Sequence, residues 1–150
     1  MDGEDRGEQG RIHGRSPTST RQSANSAAPL GMLGLLAVQF LLGMAANLYV
    51  QLPSAGAGMA EMMHSGPLVM IHMMLGMILA AGALLAIAIA LPYGRWAVGS
   101  AAVALGGILV AGFGGLLFLM GGQSNGASYL MAVGFLVAVG GYVAALIKVR

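Results

Sequence analysis

Glu61, Met62, Met63 and His64 stand in a row, and Met70, His72, Met73, Met74 and Met77 follow closely. With Met59, this segment holds seven of the twelve methionines. Glu61 is the one acidic residue beyond the N-terminal segment, and a helical turn would place His64 on its face. His72 lies inside an apolar run, with Leu68, Leu75, Gly76 and Leu79 on its own helical face. Ionisable groups at membrane depth usually face a bundle interior and mark ligand, proton or cofactor sites. The plainer reading is a neutral imidazole that bonds across to a helix carbonyl or to Asn47.

Two cofactor chemistries suit these residue types. A b-type haem needs an axial ligand on at least one face. His72 or His64 supplies one, and Met120 or Met131, near the same end of later helices, supplies the other. Thioether sulfur is a soft ligand for monovalent copper, for which Met62, Met63 and His64 form the candidate group. Met70, Met73, Met74 and Met77 also make a helical stripe, but His72 is about 200° around the helix from Met70 and cannot join it unaided. Methionine is equally an adaptable packing residue. Gln39 and Asn47 are the remaining polar intrusions, read first as interhelical glue at about 1 kcal/mol and second as the lining of a polar path. No Ser-His-Asp set or carboxylate pair can be assembled around a lone Glu61, and no catalytic residue is assigned.

These residues need elements to hold them. A chain of 150 residues, 57% apolar and 8% charged, contains four long apolar stretches and little else. The expected spans are approximately 30–52, 68–91, 95–120 and 128–147, each near the roughly 20 residues that cross the hydrocarbon layer. None alternates as barrel strands do. The fold class is therefore all-α, a polytopic four-helix up-down membrane bundle over residues 30–150, with residues 1–29 read as a disordered cytoplasmic tail of Arg, acids, Gly and Ser. A signal peptide ending near Ala55-Gly56-Ala57 is the lesser alternative, because the first run exceeds a signal h-region.

Charge sets the orientation. The seven Lys and Arg residues fall before the first span, between the second and third, or after the fourth. By the positive-inside rule both termini are cytoplasmic, and residues 53–67 and 121–127 lie outside the plasma membrane. Tyr93 and Trp96 would then mark the inner interface, and Tyr49 and Tyr129 the outer one. The basic groups face lipid headgroups rather than nucleic acid. The absence of Cys removes disulfides, thiolate metal sites and palmitoylation.

Lipid tails are as apolar as leucine, so these helices must associate through close fit. Four-residue spacings of small residues provide it: Gly76 with Ala80, Gly82 with Ala86 and Ala90, Gly107 with Ala111 and Gly115, and Gly134 with Ala138. Pro92-Tyr93-Gly94 is short enough to force an antiparallel hairpin.

The runs Gln39-Phe40-Leu41-Leu42-Gly43-Met44-Ala45-Ala46-Asn47-Leu48 and Asn125-Gly126-Ala127-Ser128-Tyr129-Leu130-Met131-Ala132 resemble small four-helix integral membrane proteins of actinobacteria. That resemblance implies topology and no activity. More distantly, Glu61-Met62-Met63-His64 is similar to the Glu-x-x-His motif of haem A synthase, one four-helix half of which this chain would represent. That likeness implies haem ligated near the outer ends of helices. The chain departs from it in lacking a His on a second ligand helix and an outer-loop Cys pair.

Three roles are thus in contention. The first is a non-enzymatic subunit, assembly factor or self-associating bundle that uses small-residue faces and Gln39 to contact a membrane partner or a second copy. The second is a haem b redox protein, and the third a Met- and His-based copper handler.

Overall fold

In the computed structural model of the chain, the residues described are 18–51, 61, 64, 66–121 and 123–149. Four long helices account for most of them: α1 (Thr18–Tyr49), α2 (Pro67–Ala90), α3 (Arg95–Met120) and α4 (Asn125–Val149). Each contains a segment long and apolar enough to cross a membrane, so the chain is a multi-pass integral membrane protein. No strand occurs among the described residues.

Sequence and structure differ at the start of α1. Residues 18–29, expected in the disordered tail, are helical, and Pro29 lies inside the helix. Extending an established helix adds a hydrogen bond for each residue fixed, whereas starting one does not, and Ala24, Ala27 and Ala28 are strong helix formers. Pro29 removes one such bond, the one to the Asn25 carbonyl, without stopping propagation. The rest of the expected tail, residues 1–17, lies outside the described residues.

The other boundaries follow local chemistry. Pro67 opens α2 at a position where its missing N–H is not needed. A single 3-10 turn, Leu91–Tyr93, and Gly94 at φ 91° join α2 to α3. That left-handed value favours glycine, and it makes the tight hairpin expected from Pro92-Tyr93-Gly94. Between α3 and α4 the Gly121 N–H donates to Leu117 O at 2.7 Å. The Ala127 N–H donates to Ser124 Oγ at 3.3 Å, an N-cap for α4.

The helices alternate in direction around a square. α1 packs on α2 and α4, α3 packs on α2 and α4, and the diagonal pairs do not meet. Leu36, Leu79, Ala83, Ala104, Ile108, Ala138 and Tyr142 share the central core. Leu79 is its one large side chain sealed completely, so the bundle is narrow. Tyr49 and Tyr129 lie exposed at one end of the square, and Tyr93 and Trp96 lie exposed at the other.

The α3–α4 pair is the closest. A Cβ at Gly107 would strike the Ala138 nitrogen and lie 2.6 Å from Gly134 O. One at Gly134 would strike the Ala111 nitrogen and lie 2.6 Å from Gly107 O. Gly141 stands against Ala104 and Ser100, and Gly114 against Met131 and Ala127. The facing rows are Ser100, Ala104, Gly107, Ala111 and Gly114 on α3, and Ala127, Met131, Gly134, Ala138 and Gly141 on α4. Both advance in alternating steps of four and three, the period that keeps one seam in register along two helices. The four-residue reading found Gly107, Ala111, Gly134 and Ala138 but chose Gly115, where a Cβ would meet only Met131 Sδ at 3.6 Å. On α2 the glycines meet side chains, Gln39 at Gly76 and Met32 at Gly82, rather than backbone.

Gly107→Ala or Gly134→Ala should each destabilise the bundle by about 1–3 kcal/mol, because backbone cannot yield to a new methyl group. Gly112→Ala, with nothing within 4 Å of the added carbon, should be neutral or stabilise by up to about 1 kcal/mol. Unfolding in bicelles read by steric trapping checks the opposite signs.

Candidate functional site: the polar contact between the first two helices

Gln39 sits on the inward face of α1 with Leu36, Gly43 and Ala46, and His72 sits on the inward face of α2 with Val69, Gly76 and Leu79. The antiparallel register brings the two side chains together. Gln39 Nε2 donates to the His72 backbone carbonyl at 3.0 Å, and the same nitrogen lies 3.4 Å from His72 Nε2. One primary amide carries two N–H bonds and therefore serves both acceptors.

Two glycines make the approach possible. A Cβ at Gly76 would stand 3.2 Å from Gln39 Nε2, over the carbonyl that the amide reaches. A Cβ at Gly43 would stand 2.8 Å from His72 Cε1, in the space the imidazole occupies. The pair is thus framed by the absence of two side chains. Each partner keeps an unsatisfied atom: Gln39 Oε1 and His72 Nδ1 are buried without a hydrogen-bond partner among the described residues.

The other candidates are placed differently. Asn47 is exposed near the end of α1 and takes no part in the contact. Glu61 and His64 are exposed, on helical backbone. Met62 and Met63 lie outside the described residues. Of the methionine stripe, Met70, Met74 and Met77 are 44%, 49% and 67% exposed on the side of α2 away from His72, while Met73 is half-buried. Among the described residues no group of three His, Cys, Asp or Glu gathers as for a metal ion.

The methionines considered as haem ligands also stand apart from His72. Met120 is 65% exposed at the end of α3. Met131 enters the bundle about 9 Å along α4 and His72 about 8 Å along α2 from the same end, at 1.5 Å per residue. Those helices occupy opposite corners, however, and Met131 packs on Gly114 and Gly115 of α3.

Tyr142 is a site that sequence reading missed. It is 3% exposed, and its hydroxyl has no hydrogen-bond partner among the described residues. Its position on the Ala138 face of α4, one residue after the seam glycine Gly141, is the signal that could have found it.

Compared with protein-family models, with curated proteins and with solved structures, the chain matches none of them.

Gln39→Leu and His72→Phe should be non-additive, with a coupling of about 0.6 kcal/mol and at most about 1.7. Asn47→Leu should add independently to His72→Phe in the same bicelle unfolding assay. Additive behaviour of Gln39 and His72 would show that the contact contributes nothing to stability.

Proposed function

We propose that this chain is a non-enzymatic membrane protein that acts by association, as a small subunit, an assembly factor or a self-associating bundle. The observation that carries this reading is the division of its glycines. Gly107, Gly114, Gly134 and Gly141 hold neighbouring helices at backbone distance. Gly99 and Gly106 on α3, like Gly31 and Gly34 on α1, have nothing within 4 Å.

On α3, Gly99, Ala102 and Gly106 are all exposed and point away from the seam. A surface that needed only to meet lipid would gain from larger side chains. A row of small residues instead lets the backbone of another transmembrane helix come close. Gln39, first considered for such a contact, is turned inward to His72 and is internal glue. A haem ligated through Nε2 of His72 would require the ring to give up its contact with Gln39, which places the redox role second.

The orientation that accompanies this proposal has both termini in the cytoplasm and the connections near residues 53–67 and 121–127 outside the plasma membrane. The cysteine-free sequence gives a clean background for testing it. Ser54→Cys should react with a membrane-impermeant maleimide added to intact cells. Ser16→Cys should react only after lysis, and the reverse pattern would invert the topology.

For the role itself, the protein recovered in native-lipid nanodiscs should be an oligomer or carry a stoichiometric partner. Gly99→Leu with Gly106→Leu should weaken that association by at least about tenfold, or 1.4 kcal/mol, while leaving helix content unchanged. A lone monomer in the wild type, together with a Soret band lost in His72→Ala, would replace association with the haem reading.

A further inference from the structure

A single nitrogen serves two acceptors where α1 meets α2. Gln39 Nε2 donates one N–H to the His72 carbonyl at 3.0 Å and brings the other to His72 Nε2 at 3.4 Å. The amide cannot be turned about to present Oε1 instead. That oxygen would meet the carbonyl oxygen at the same 3.0 Å, acceptor against acceptor. The carbonyl therefore fixes the nitrogen toward α2, and the ring nitrogen beside it must offer a lone pair.

The arrangement tolerates one protonation state. A proton on His72 Nε2 turns that acceptor into a donor and sets N–H against N–H. Rotating the amide would offer the new N–H an acceptor in Oε1, but it would also bring Oε1 against the carbonyl. Ring and carbonyl then make opposite demands on one amide, and no orientation of Gln39 meets both at the present spacing.

No charge nearby would compensate an imidazolium. Among the described residues α2 has no other titratable group, α1 has only Arg21 and Tyr49 near its two ends, and α3 has only Arg95 at its first position. Tyr49 is exposed, as are Glu61 and His64 ahead of α2, so none of them faces the ring from a packed helix. A charge at membrane depth without a counter-ion is costly. His72 is five residues from the start of α2, about 8 Å at 1.5 Å per residue, so a solvent proton has a short way to travel.

We propose that the α1–α2 contact is a proton-operated latch, closed while His72 is neutral and released when Nε2 takes up a proton as the pH falls. Gly43 and Gly76, which admit the imidazole and the amide, have no side chains of their own to keep the helices together after release. Neither facing row of the α3–α4 seam contains a titratable residue. The seam therefore stays closed, and the movement is confined to the first hairpin.

Pulsed electron-electron resonance in lipid bilayers tests the latch in the cysteine-free chain. Spin labels on Leu48→Cys with Met77→Cys report the α1–α2 distance, and labels on Leu116→Cys with Leu136→Cys report α3–α4; all four positions are exposed. Nitrogen-15 NMR of the His72 ring, with His13→Gln and His64→Gln removing the other imidazoles, gives its protonation at each pH. The α1–α2 distance should lengthen and broaden in step with that protonation, the α3–α4 distance should stay constant, and His72→Phe should abolish the response. A ring still neutral at about pH 5, a protonated ring with the α1–α2 distance unchanged, equal lengthening of both pairs, or the same response in His72→Phe would each overturn the proposal. If His72→Phe does not fold, the match between distance and ring protonation in the otherwise native chain still decides it.

Discussion

The bilayer supplies no hydrophobic drive for one apolar helix to prefer another, and the architecture depends on how this chain meets that constraint. Its response is backbone contact along the α3–α4 seam. Glycine at Gly107 and Gly134 lets each helix present Cα–H bonds to the other's carbonyl oxygen, a weak interaction made useful by repetition. Dispersion between closely apposed main chains adds along the same row. A wider bundle built on leucine would touch lipid and protein with equal ease, and nothing would hold it together.

The α1–α2 pair uses a different principle. There the glycines remove side chains so that a polar group can reach across, and the attraction comes from a hydrogen bond to a carbonyl already engaged in its own helix. Ring stacking between Phe40 and Phe135, with centroids 5.0 Å apart, joins this pair to α4. The bundle is therefore two hairpins with distinct adhesives, one polar and local, the other steric and distributed.

Much of this was legible in the sequence because the bilayer restricts the alternatives so severely. Apolar run length located α3 to the residue, and Pro92-Tyr93-Gly94 announced its hairpin. Gln39 as interhelical glue and His72 as a half-buried imidazole bonded across helices were both within reach of pattern reading. Their pairing was not, because antiparallel register between α1 and α2 is set by side-chain fit across a long connection and has no local signal. The seam showed the same limit: Gly114 and Gly115 are equivalent as letters, and only the four-three period, fixed by the partner helix, selects Gly114. The start of α1 was misjudged because composition describes what a segment would do alone, whereas residues 18–29 continue a helix begun elsewhere.

The division into two hairpins bears on how the protein is made. α1 and α2 leave the ribosome before the glycine seam exists, and two polar side chains exposed to lipid in the interval would be costly. Because Gln39 and His72 already meet within the first hairpin, that hairpin need not wait for the second to bring its polar groups together. The second carries its own means of closure in Gly107 and Gly134. The chain is thus suited to being laid into the membrane two helices at a time, with the square completed last.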